Sequence, residues 1–233
     1  MNYGHSLMKI FSAIGLILTL GMSMDASAGL FGFGGASWKE EVLLHDGGKI
    51  IVTRTVERDG RHEVGQKSSY KEQSLSFTLP ATGQHVTWVD HYSEDVGSAN
   101  FLPMLIDISG GITYLIVSPM GCLSYNKWGR PNPPYVVFKY QEKEWQRILL
   151  QDLPAEIKTP NLIFSAPDIA VEKIDKNFVS AEIIRQVISS YKQSEYRTIL
   201  REPIPSSQLC PPEQAGFKAP FPLPPTSNVI NRK

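Results

Sequence analysis

The chain has little that would betray a reaction. Its 233 residues include two cysteines, and with no Cys-x-x-Cys pair and no histidine close to either one, a metal site built on them is not expected. Acidic and basic residues number 23 each. The basic ones are scattered, which removes the patch that nucleic acid or an anionic membrane surface would need. No G-x-S-x-G, H-E-x-x-H or glycine-rich phosphate loop occurs, so the common local signatures of hydrolases and nucleotide-binding proteins are missing. An Asn-x-Ser/Thr sequon is also lacking, which leans towards a bacterial envelope and away from a eukaryotic secretory route. No cofactor is expected.

What is present begins with an address. Residues 1–9 are polar and end in Lys9, and residues 10–24 form an uncharged apolar run. A membrane-spanning helix needs about 20 apolar residues, so this shorter run reads as the centre of a signal peptide covering residues 1–28. Ala26 and Ala28 supply the small side chains a signal peptidase accepts, and cleavage is expected after Ala28. The mature chain is then expected in the periplasm or outside the cell, with no stable membrane insertion. In that oxidising setting Cys122 and Cys210 are expected to form one disulfide. It would close a loop of roughly ninety residues and stabilise the fold by about 4 kcal/mol in the chain-entropy treatment.

The mature part is long enough for one sizeable domain. After a glycine-rich lead over residues 29–37, residues 38–177 read as an antiparallel β domain. Asp46-Gly47-Gly48 predicts a tight hairpin turn between two apolar runs. Leu75, Phe77 and Leu79 alternate with Ser74, Ser76 and Thr78, the period of a half-buried strand, and Pro80 to Gly83 turn the chain into a second hairpin. In its return strand Val86, Trp88 and Tyr92 share one face, while His85, Thr87, Val89 and His91 share the other. A third hairpin turns at Ser109-Gly110-Gly111, and its second strand, apolar on both faces, is expected at the centre of its sheet. A fourth turns at Gln141-Glu142-Lys143-Glu144, where the lack of glycine predicts a longer loop. The hairpin tips recur about every thirty residues, and a sandwich, a small barrel or a partial propeller would each accommodate them.

The pattern changes after Pro167. Ser180 reads as an N-cap, and Ile184, Val187, Ile188 and Tyr191 repeat at helical spacing, which predicts an amphipathic helix over residues 178–201 packed on the β domain. Residues 202–233 form a proline-rich arm unsuited to regular helix or central strand.

Function must then be sought in loops. The run from Cys122 to Tyr135 joins two strong strands and is long for a connection, which marks it as a binding element. Tyr125, Trp128, Arg130, Asn132 and Tyr135 would offer flat apolar faces beside hydrogen-bond donors, suited to an envelope protein or to a glycan or peptide ligand. Asp107, inside an apolar strand, is the catalytic candidate, since a carboxylate there must find a partner or stay protonated. His85 and His91 share strand parity but lie about 20 Å apart at 3.3 Å per residue, too far to share a metal. The expectation is a non-catalytic binding or structural module of the cell envelope. The alternatives are an envelope hydrolase or carbohydrate-active enzyme using Asp107, and an assembly role for the proline-rich arm.

Overall fold

The computed structural model describes residues 35–59, 67–174 and 177–211. The expected signal peptide with its cleavage point at Ala28, most of the glycine-rich lead and the proline-rich stretch past residue 211 lie outside the described residues.

Alternating polarity builds the first sheet. Strand β1 (Ala36–Leu43) buries Trp38, Glu40 and Val42, and β2 (Lys49–Arg58) buries Ile50, Val52, Arg54 and Val56 in the same two-residue rhythm. They pair antiparallel around a turn in which Gly47 sits at φ +87° and the Asp46 carboxylate accepts the Gly48 amide at 2.8 Å. Strands β3 (Tyr70–Thr78) and β4 (His85–Asp90) form the second hairpin, and β3 pairs with β2. A two-residue strand, β9 (Phe178–Val179), joins β1 in parallel, so the sheet runs β4-β3-β2-β1-β9. Among the described residues that parallel pair is the one departure from the antiparallel pattern the sequence predicts.

The second sheet contains β5 (Phe101–Ser109), β6 (Ile112–Pro119), β7 (Val136–Gln141) and β8 (Glu144–Ile148), antiparallel and in chain order. Strand β6 is buried along nearly its whole length, as an apolar run without alternation requires. The β7–β8 turn departs from expectation. Gln141 pairs directly with Glu144, so the loop is two residues long, with Glu142 at φ +55° and Lys143 at φ +67°. Two left-handed residues in succession match the right-handed twist of the flanking strands, and that match overrides the usual preference for glycine or asparagine.

The inner faces of the two sheets meet in one core. Val42, Val52, Leu75 and Trp88 of the first sheet pack against Phe101, Leu115 and Phe138 of the second. The Trp88, Phe101 and Phe138 rings lie 5.8 to 6.4 Å apart. The thirty-residue recurrence thus resolves into two hairpins per sheet, and among the described residues neither a barrel nor a propeller forms. Edges β4 and β8 are joined by Trp145 Nε1 donating to the Thr87 carbonyl, and beside them Gln84, in the turn before β4, donates its Nε2 to the Tyr140 hydroxyl of β7, each at 2.9 Å. At the opposite seam the Asn161 amide donates to the Leu43 carbonyl at 3.0 Å and grips both main-chain groups of Ile106.

Irregular chain supplies a third layer. Met104, Ile116 and Val137 on the outer face of the second sheet lie beneath Leu153, Ile157, Phe164 and Ile199. Arg201 staples that layer, donating to the carbonyls of Leu150, Leu153, Pro154 and Ile157 at 2.8 to 3.0 Å. Deeper, Glu40 and Arg54 form a fully buried pair at 3.1 Å. Glu40 also accepts the Trp38 indole at 2.7 Å and the Ile163 amide at 3.2 Å, and Arg54 donates to the Ile163 carbonyl.

Three helices complete the described chain. Helix α1 (Gly121–Lys127) lies in the long connection between β6 and β7, and α2 (Pro167–Ile174) starts on a proline whose missing N–H would be unpaired there in any case. Asp168 in its first turn accepts a two-pronged contact from Arg58 at 2.9 Å and the Tyr70 hydroxyl at 2.5 Å, fixing the helix to the first sheet. Helix α3 (Ala181–Ser189) starts behind Ser180, whose hydroxyl accepts the Ile183 amide. It is far shorter than the predicted run over 178–201. The hydroxyls of Ser189 and Ser190 donate to carbonyls three residues back, competing with the helical ladder. Tyr191, the last residue of the predicted stripe, leaves the helix and packs edge to face against Phe164, ring centres 4.8 Å apart.

Candidate binding surface

The connection from β6 to β7 is built on Asn100. Its carbonyl accepts the Met120 amide at 2.8 Å and the Ser124 hydroxyl at 2.5 Å, which seats α1, and its side-chain oxygen accepts the Trp128 indole at 3.2 Å. Asn100 is itself held by Asp90. That carboxylate is 4% exposed and accepts the Asn100 amide and side chain, the Phe101 amide at 2.8 Å and Gln73 at 3.0 Å. Burial pushes its pKa above the usual carboxylate range against the pull of those hydrogen bonds. Asp90 was not among the site residues selected from sequence. The signal was present, because strict alternation after Val86 and Trp88 puts Asp90 on the buried face, whereas Tyr92, placed on that face, lies beyond the strand and is 51% exposed.

The five predicted contact residues divide. Trp128 closes the end of the core, its ring 4.5 Å from the Phe101 ring, while the Arg147 guanidinium lies 5.5 Å from the Trp128 ring centre and donates to the Trp128 carbonyl at 3.1 Å. Tyr125 is buried, with the Arg130 guanidinium 5.0 Å from its ring. Arg130 donates to Asn126 Oδ1 at 2.5 Å and to the carbonyls of Cys210 and Pro211 at 2.6 and 3.2 Å. Asn132 holds Ile204, accepting its amide at 2.8 Å and donating to its carbonyl at 3.0 Å. Tyr135 stands apart. It is buried under the turn of residues 194–200, its hydroxyl donates to the Glu195 carbonyl at 2.7 Å, and burial raises its pKa.

Cys122 and Cys210 form a disulfide, with Cα atoms 5.5 Å apart. Arg130, Asn132 and the bonded cysteines therefore converge on one feature, the strap of residues 201–211, and Tyr125 reaches it only through Arg130. The surface available to a partner is thus composite. It consists of exposed parts of α1, such as Leu123 at 46%, together with the strap. Arg130 and Asn132 were selected from sequence as ligand donors, and their acceptors here are main-chain groups of the strap, which carry no signature in the side-chain alphabet.

Asp107 sits elsewhere, at the seam where β1 ends. Its Oδ2 accepts the His45 amide at 3.0 Å, and Oδ1 meets His45 Nδ1 and the Ile108 amide, each at 2.7 Å. The carboxylate bridges the two sheets and raises the pKa of His45, mainly through the ring hydrogen bond. His91 is exposed and pairs with Glu72 at 2.7 Å. Among the described residues no group of three or more His, Cys, Asp and Glu side chains is placed to hold a metal ion, and no helix is long and apolar enough to cross a membrane. Comparison with known protein families, with curated proteins and with solved structures finds no match for the chain.

Proposed function

We propose that the chain is an exported β-sandwich module of the cell envelope that binds a partner or holds structure without turnover. Its contact surface is the face formed by residues 122–135 and the strap. The observation that carries this is the Cys122–Cys210 bond, between residues 88 apart in sequence. Such a bond persists in an oxidising compartment and is rare in a reducing cytosol. The apolar run and Ala26-Ser27-Ala28 at the N-terminus point the same way. The envelope partner is a protein, or a glycan or peptide ligand.

Fractionation of cells expressing the full chain tests the address. Mass spectrometry of the envelope fraction is expected to find an N-terminus at Gly29 and two cysteines that resist alkylation. Full-length chain with free thiols among cytoplasmic proteins would refute the function at its root. Leu123→Asp, on the exposed side of α1, is expected to abolish partner retention while leaving the melting temperature within about 2 °C, as exposed sites allow.

A second function, an envelope hydrolase or carbohydrate-active enzyme, draws on the His45–Asp107 pair, since a buried carboxylate behind a partly exposed imidazole can orient it for proton transfer. Asp107→Asn separates the two. Lost turnover on ester or glycan substrates with an unchanged melting temperature would favour the enzyme, and a lowered melting temperature with no turnover in either form would favour the module.

A further inference from the structure

The seat of the strap has the features of a site that reads a polypeptide main chain. The Asn132 amide takes both main-chain groups of Ile204. That is a strand-ladder contact supplied by a side chain, and it is indifferent to the identity of the residue it grips. Further along the strap, Arg130 takes the carbonyls of Cys210 and Pro211, and it is aimed at them by Asn126 and the Tyr125 ring. Between the two grips the strap makes a single turn at Ser206–Gln208. Pro205 and Pro211 carry no amide N–H of their own. Ile204, 9% exposed, is the one buried residue of 201–211, so beyond the Arg201 staple the strap is held by main-chain contacts, that one side chain and one covalent bond.

We propose that this seat is a peptide-binding site occupied in cis by the chain's own strap, and that a proline-flanked segment of another polypeptide takes the same contacts once the Cys122–Cys210 bond is open. This rests on the binding-module function and names its ligand class and its control. A protein dithiol opens the bond. Its thiolate attacks the sulfur of the exposed Cys122, and Cys210 leaves as a thiolate and takes up a proton. The second thiol then attacks the mixed disulfide, so that Cys122 ends as a thiol and the dithiol as a disulfide, two electrons having passed to the chain. While the bond is closed, the tethered strap competes at an effective concentration in the millimolar range or above and excludes a free peptide. Once it is open, the two polar grips and the buried Ile204 side chain retain residues 203–211, while Arg201 holds the start of the strap.

Fluorescence anisotropy with a labelled synthetic peptide of residues 203–211, carrying serine for Cys210, tests this on the full chain. The double variant Ile204→Pro, Cys210→Ser removes the strap's own amide and its bond while leaving Asn132, Arg130 and Tyr125 in place. The peptide is expected to bind this variant about tenfold or more tighter than oxidised wild type, a difference of about 1.4 kcal/mol or more. Adding Asn132→Ala to the variant is expected to remove saturable binding. Wild type reduced with dithiothreitol needs no substitution and decides the matter if the variant does not fold. Its expected affinity lies between those of oxidised wild type and the variant. Equal affinity for oxidised and opened forms, or no binding to any folded opened form, overturns the proposal. Failure here while oxidised wild type is processed and retained in the envelope would sink the peptide site alone; failure of processing and oxidation would remove the function beneath it.

Discussion

Replacing Cys122 and Cys210 together by serine separates the cross-link from the contacts around it. The two residues lie 88 apart in sequence. In the chain-entropy treatment, closing a loop of that length removes about 15 cal/mol/K from the unfolded ensemble, or about 4.6 kcal/mol at 25 °C. Serine is close to cysteine in size, Cys122 is exposed, and the grips of Asn132 on Ile204 and Arg130 on Cys210 and Pro211 involve neither sulfur. The loss should therefore come almost wholly from the freed unfolded chain. A domain of this size loses roughly 2–4 °C in melting temperature per kcal/mol, so a fall of about 9–18 °C is expected by calorimetry or circular dichroism. Reduced wild type should melt with the variant, because the two share the same unlinked chain. A fall under about 3 °C would mean that the strap unfolds apart from the sandwich. A variant melting well below reduced wild type would show that packing at the sulfurs, and not chain closure, is what was lost.

Three further outcomes follow from named contacts. His45 has a pKa raised by Asp107, so its contribution is full below the unfolded value near 6.5 and is lost as pH rises through the higher folded value. Melting temperature should therefore decline with rising pH on the alkaline side of about 6.5, and His45→Gln should flatten that decline; an unchanged slope would refute the assignment. Arg201→Ala leaves four carbonyl contacts unmade and should lower stability by about 2–3 kcal/mol in urea titrations, with faster amide exchange over residues 150–157. Arg201→Lys should restore less than half of it, since an ammonium cannot match the planar fork. Changing Glu142-Lys143 to Asn-Gly should stabilise by about 1 kcal/mol, because both positions are left-handed; a loss of stability would show that those side chains contribute contacts of their own.

Sequence periodicity carried the hairpins because their determinants are local. Each strand announces its buried face every second residue, as Leu75 and Phe77 do, and Asp46-Gly47-Gly48 names its own turn. The cysteines were legible by elimination, being the one pair available. The turn at Glu142-Lys143 was illegible because the flanking strands impose its conformation on residues that would not choose it. Helix α3 was overextended because Tyr191 satisfies helical spacing while packing on Phe164, a contact no local window contains. The same holds for Arg130 and Asn132. Their residue types suggested hydrogen bonding, and the type was informative, but a carbonyl of Ile204 or Cys210 looks like any other carbonyl in a sequence. Asp90 was readable by simple alternation.

The guanidinium staples carry a consequence for tolerance of acid. Arg201 on four peptide oxygens, Arg130 on two and Arg147 on one are attachments between a cation that stays charged at any ordinary acidity and acceptors that never titrate. Carboxylate clasps loosen in acid; these have no proton to gain. The irregular layer and the strap are thus fastened by joints insensitive to the acidity of the surrounding medium, while the His45 bridge between the sheets is a place where that acidity is felt.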